Sequence, residues 1–175
     1  MTHNTNDTDR LKEEKARGIS VDLGFAYLPM AAGGILGFID VPGHERFVHN
    51  MLAGATGIDF VLLVIAADDG VMPQTIEHLA IVNLLGINVG AVAITKSDMV
   101  DTERLAEVRV EIANLLASTV LHDAPMFPVS SVTEAGVAEL RAHLFAAAAA
   151  WSGRSAHGRF RLAVDRSFTL SGAGT

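Results

Sequence analysis

The run Phe60-Val-Leu-Leu-Val-Ile-Ala-Ala67 leaves this chain few ways to fold. It is continuous and rich in β-branched residues, without the polar alternation of a strand wet on one face. It is far too short to cross a bilayer as a helix. Taken from Ile58 to Ala67, it predicts a strand buried on both faces of a parallel sheet. Such a strand needs helices above and below it, and the sequence on its C-terminal side supplies them. Asp68-Asp69-Gly70 makes a turn, with the two acids read as turn caps. Pro73 to Leu85 predicts a helix, with proline in its first turn and Gly86 just past its end. Asn88 to Ile94 is a second buried strand. Asp101 to Leu116 is an amphipathic helix with Leu105, Val108, Ile112, Leu115 and Leu116 inward. Met126 to Val129 is a short strand, and Thr133 to Ala150 a helix ending in five alanines. The alternation places the chain in the α/β class, a parallel sheet flanked by helices.

Ile19 to Tyr27 alternates apolar and polar residues, Ala31 to Gly34 is a turn, and Ile35 to Val41 returns as a second strand, so a hairpin precedes the parallel part. Glu45 to Ala55 reads as a helix with Phe47, Met51 and Leu52 on one side. Met1 to Arg10 is a polar arm, and Leu11 to Arg17 a short helical turn. After Trp151 the composition shifts. Residues 152–158 read as a linker, and residues 159–175 alternate again as the opening of a second, all-β domain. A net charge of −7 argues against a broad basic surface for nucleic acid. The chain has no cysteine, which excludes disulfides and thiolate metal sites and suits a cytoplasmic protein. No stretch suits a membrane span.

Strand ends on one edge of such a sheet gather in space, and here they carry chemistry. Asp40-Val41-Pro42-Gly43-His44 follows the second hairpin strand. Gly43 has no Cβ, so its N–H can approach an anion closely. Asp40 could hold a magnesium ion through water, with a hydroxyl from Ser20 as a further ligand, and His44 could orient an attacking water. Thr95-Lys96-Ser97-Asp98 follows a buried strand. A carboxylate at Asp98 can accept from the N1–H and 2-amino edge of guanine while the Lys96 stem packs on the base. Ser130-Ser131 could offer a backbone N–H to guanine O6. Each piece alone also fits a bland role: Lys-x-Asp as a helix cap with a surface lysine, Ser20 as a solvent-facing residue, His44 as a surface histidine. His49, His78, His122 and His143 lack ligand spacing.

In combination these stretches resemble a known family. Glu14-Lys-Ala-Arg-Gly-Ile-Ser20, Asp40-Val-Pro-Gly-His44, Thr95-Lys-Ser-Asp98 and Ser130-Ser131 resemble the two switches and two guanine-recognition motifs of a translational GTPase. The run from Asp9 to Tyr27, Asp68-Asp-Gly-Val-Met-Pro-Gln-Thr, and Thr95 where most relatives carry Asn resemble the selenocysteine-specific elongation factors of SelB type. Val164 to Thr175 resembles the start of that family's second domain, a β-barrel. The resemblance implies a P-loop NTPase-like GTPase domain over residues 1–151, with GTP or GDP and Mg2+ as ligands. It implies selenocysteinyl-tRNA and the ribosome as partners, and the selenocysteine-insertion mRNA element through a domain not found in this chain. The family's phosphate loop, Gly-x-x-x-x-Gly-Lys-Ser/Thr, does not occur in residues 1–175. In the family, the strand before that loop lies between those read here at Ile35–Val41 and Ile58–Ala67. The expectation is therefore a piece of a SelB-type protein, inactive alone and without micromolar affinity for GTP. The alternatives are a non-catalytic remnant, or another translational GTPase of elongation- or initiation-factor type.

Overall fold

A computed structural model describes residues 23–31, 33–42 and 57–153. Two strands open it, β1 (Gly24–Pro29) and β2 (Ile35–Asp40). They pair antiparallel from Gly24 opposite Asp40 to Pro29 opposite Ile35. Met30 donates to the Gly34 carbonyl and Gly33 to that of Met30, which closes the turn expected at residues 31–34.

The second sheet is parallel, in the order β3 (Val61–Ala66), β4 (Gly90–Thr95), β5 (Met126–Pro128). Helix α1 (Pro73–Leu85) links β3 to β4, α2 (Thr102–Leu116) links β4 to β5, and α3 (Val137–Ala150) follows β5. Helix α1 has Pro73 in its first turn and stops at Gly86, whose φ of 68° few other residues adopt easily. The N-cap of α2 is Asp101, whose side chain accepts from the Arg104 N–H at 2.8 Å.

One face of the parallel sheet is the core. Leu63 and Ile65 of β3 and Val92 and Ile94 of β4 meet Leu79 and Val82 of α1 and Val108, Ile112 and Leu116 of α2. Leu105 and Leu115 pack against that cluster from its rim. On the opposite face, the His143 ring of α3 lies 5.0 Å from that of Phe127 on β5, and Leu144 beside it is buried.

Two expectations are corrected. β3 is not buried on both faces, because Val64 is 58% exposed. In register, Val64 stands beside Ala93 and Ala93 beside Phe127, so α3 reaches the β5 end of this face and leaves the β3 end open among the described residues. Helix α3 also starts at Val137 rather than Thr133. Glu134 (φ 61°) and Gly136 (φ 71°) are left-handed, and no α-helix runs through such residues.

The two sheets part between β2 and β3, which is where the family resemblance puts a further strand. A cleft of about 750 Å³ lies there, lined by Leu36, Phe38 and Ile39 of β2, Phe60 and Leu62 around β3, and Leu144 and Trp151. The polar arm, the short helix at residues 11–17, Ser20, Gly43, His44, the helix at residues 45–55, and residues 154–175 lie outside the described residues.

Candidate functional site

The parallel strands all end at one edge, and three loops meet there. The β3 loop holds Asp68 and Asp69, the β4 loop Thr95 to Asp98, and the β5 loop Ser130 and Ser131. Open α/β sheets bind ligands at the carboxyl ends of their strands. Backbone bonds tie the loops together. Ala67 N–H donates to the Thr95 carbonyl at 2.8 Å, Val129 N–H to Ile94 at 2.8 Å, and Ser97 N–H to Val129 at 3.2 Å.

In the β4 loop, the Thr95 hydroxyl lies 3.5 Å from the Ile65 carbonyl. Lys96 is left-handed with φ 54°, uncommon for a side chain with a Cβ. Its carbonyl accepts from Met99 N–H at 3.0 Å, so residues 96–99 form a tight turn with Ser97 and Asp98 at its centre. Asp98 is exposed and has no hydrogen bond or ion pair among the described residues. A turn-centre carboxylate with both oxygens open is what an incoming pair of N–H donors requires.

The Lys96 ammonium donates to Asp68 Oδ2 at 2.7 Å and lies 3.6 Å from Asp69 Oδ2. The hydrogen bond to Lys96 holds the Asp68 carboxyl below its usual range, and the same bond raises Lys96. Asp68 also accepts from Asp69 N–H at 3.1 Å, the capping bond expected of it. Its second oxygen does more than cap. That role was missed because Asp68 and Lys96 are far apart in the chain. The signal available was the parallel pairing itself, since Ala66 stands opposite Thr95 and brings the residues just beyond them together.

The β5 loop divides its labour. Ser130 is fully buried. Its hydroxyl accepts from Val132 and Thr133 N–H at 3.2 and 3.1 Å, and its own N–H donates to Ala135 at 3.0 Å. Ser130 therefore shapes the loop, and the next residue, Ser131, is exposed.

Asp40 ends β2 and is exposed, followed by half-buried Val41 and buried Pro42. A single hard oxygen donor of this kind suits a magnesium ion that keeps most of its waters and takes its remaining ligands from phosphate. The described residues hold no cluster of three His, Cys, Asp or Glu able to cage a metal. Gly43, His44 and Ser20 are not among the residues described. His78, His122 and His143 all lie away from this edge. His78 is half-buried on α1, and burial lowers its pKa.

A parallel sheet flanked by helices, with a lysine-acid turn and a serine loop at its carboxyl edge, is the arrangement of a nucleotide-binding GTPase-type domain. Residues 1–150 match the elongation factor Tu GTP binding domain, and the chain belongs to that family. Within it, the chain is 54% identical over 167 residues to a selenocysteine-specific elongation factor of Desulfomicrobium baculatum, covering 95% of this chain and 26% of that protein. A crystal structure of bacterial selenocysteine-specific elongation factor EF-Sec matches with a TM-score of 0.73 at 42% identity, over 78% of this chain and 23% of that one. Translation elongation factor SelB from Methanococcus maripaludis, solved with the GTP analogue GppNHp, matches with a TM-score of 0.69 at 29% identity, over 75% and 29%. The chain thus spans about a quarter of the length of these relatives.

Proposed function

We propose that this chain reads guanine within the GTPase domain of a translation elongation factor that delivers selenocysteinyl-tRNA to the ribosome. The observation that carries the reading is the Lys96–Met99 turn, which presents Asp98 outward beside Lys96 and is tied by backbone bonds to the β5 loop. Asp98 accepts from N1–H and the 2-amino group, the Lys96 stem covers one face of the base, and Ser131 N–H meets O6. Thr95 braces the turn against β3. On the phosphate side, Asp40 would hold Mg2+ through water with Ser20 adding a hydroxyl, Gly43 N–H would meet the terminal phosphate, and His44 would position the water for GTP hydrolysis. Hydrolysis also calls for a lysine-bearing phosphate loop, and residues 1–175 contain no Gly-x-x-x-x-Gly-Lys-Ser/Thr. Contacts to tRNA, to the ribosome and to the selenocysteine-insertion mRNA element belong to the longer protein of which the relatives are examples.

The test is a reversed hydrogen-bond edge. Asp98→Asn replaces one acceptor by a donor, which suits the 2-oxo group of xanthine and opposes the 2-amino group of guanine. GDP affinity should fall roughly tenfold to a hundredfold, at the usual worth of a hydrogen bond to a charged group. XDP should gain. Competition between GDP and XDP, followed in the amide spectrum of the chain, reads both. An unchanged preference removes Asp98 from the base site.

A further inference from the structure

The β3 turn contributes a carboxylate that the guanine-reading scheme above leaves without a task. Asp68 is anchored on both oxygens. Oδ1 accepts from Asp69 N–H at 3.1 Å, and Oδ2 faces the Lys96 ammonium at 2.7 Å. The turn carrying it is itself closed by Gly70 N–H donating to the Ala66 carbonyl at 2.8 Å. Lys96 is constrained from its other end, since its left-handed backbone and its carbonyl bond to Met99 N–H fix where the side chain leaves the chain. The lysine is therefore held at both ends, and its methylene stem bridges the ends of two parallel strands beside Asp98.

We propose that Asp68 is a positioning residue for base recognition: by holding the Lys96 ammonium at the end of β3, it sets the lysine stem as a preformed wall for a guanine base. The proposal rests on the base-reading role of Lys96 and Asp98. A free lysine has many rotamers, and stacking on a base requires one of them. A ligand that finds the stem already placed does not bear that ordering cost. The pair is partly exposed, with side chains 45% and 31% accessible, so its weight in folding is small. Its weight lies in geometry. Asp69, at 3.6 Å, is the longer and weaker of the two carboxylate contacts to Lys96 and is the natural control.

The test is a double-mutant cycle on the 175-residue chain, read by NMR of the lysine side chains and of the amides of residues 95–98. GDP with magnesium is titrated to about 10 mM, beyond the millimolar range that corresponds to roughly −4 kcal/mol. In the wild type, GDP should shift the Lys96 methylenes upfield by ring current and move the Ser97 and Asp98 amides. Asp68→Ala should weaken GDP roughly threefold to tenfold, the range expected for freeing one long side chain. Lys96→Ala should weaken it by as much or more, and the double variant should lose nothing beyond Lys96→Ala alone. Asp68→Asn, which keeps an acceptor oxygen, should recover part of the loss, and Asp69→Ala should lose little. Without nucleotide, Asp68→Ala should lower the Lys96 pKa and average its methylene proton shifts.

The proposal is overturned if GDP binds Asp68→Ala as tightly as the wild type, or more tightly, while the base-reading scheme survives. Additive losses in the double variant overturn it in the same way. If GDP moves neither Lys96 nor the Ser97 and Asp98 amides of the wild type, the base-reading scheme itself falls and the proposal falls with it.

Discussion

Lys96 and Asp68 hold each other by charge, and pH separates the two contributions. Asp68 is lowered, chiefly by the hydrogen bond from Lys96, so the folded chain gives up this proton more readily than the unfolded one. Its contribution is complete above the ordinary aspartate value of 3.8 and fades as pH falls through the lowered folded value. Lys96 is raised, chiefly by the same bond. Its contribution is complete below the ordinary lysine value of 10.5 and is lost as pH rises through the raised folded value. The expected outcome is a small gap in melting temperature between the wild type and Asp68→Asn that is flat at neutral pH and closes at both extremes. A gap that persists at acid pH would mean that Asp68 acts through its backbone-facing oxygen instead. The place of Asp98 was legible in the sequence, because Lys-x-Asp follows a buried strand and the structure puts it in the exposed turn after β4. Asp68 was not, because its partner is set by parallel register, which no local pattern encodes. Ser130 was legible as a site-edge residue, but its amide is committed to Ala135, and only the loop's own bonding shows it.

At the scale of the element, start and stop residues decided what could be read. Pro73 with Gly86 and Asp101 at its cap placed α1 and α2 where the spacing puts them. Helix α3 carries no such mark. Thr133 resembles a cap, yet its hydroxyl serves a local turn with Ala135 N–H at 3.4 Å, and the chain passes two left-handed residues before the helix begins. Gly136 is the hinge of that passage. A Cβ there would strike the Pro128 carbonyl and crowd Val129, in a backbone already at φ 71°. Gly86 offers the contrast, with φ 68° and open space around its Cα. Gly86→Ala should therefore cost about 1 kcal/mol, the strain of a left-handed alanine alone. Gly136→Ala should cost roughly 3 kcal/mol, because strain and collision add. Urea unfolding of the two variants measures the difference. Equal midpoints would show that the β5 loop yields without resistance, and the fixed placement of Ser131 would then lose its support.

Across the whole molecule, stability and function are distributed unequally between two sheets. Apart from Pro42 just past β2, the buried apolar side chains of the described residues belong to the parallel sheet, its helices and its loops, and none lies within the strands β1 and β2. Tyr27, Ile35 and Ile39 of the hairpin are instead exposed, with Ile35 at 66%. A two-stranded hairpin is marginal in water by its own ladder. Its support here is the cleft shared with Phe60, Leu62, Leu144 and Trp151, which is open rather than packed. The alternation of strand and helix made the parallel part legible in the sequence, whereas the division between β2 and β3 depends on what pairs with each edge, which composition does not record. The unequal burial has a measurable consequence. Amides of β4, buried on both faces, should exchange with deuterium only through global opening, while those of β1 and β2 should exchange earlier through local opening of the hairpin. Added urea should then accelerate β4 exchange steeply and β1–β2 exchange little, because local opening exposes little new surface. Equal protection and equal urea dependence in β2 and β4 would refute this, and would mean that the hairpin folds as one unit with the parallel sheet. The outcome bears on the site, since Asp40 ends the less protected unit and Lys96 and Asp98 stand on the more protected one. Base recognition would then rest on a rigid edge, and the phosphate-side acid on an element that ordering by a ligand can still tighten.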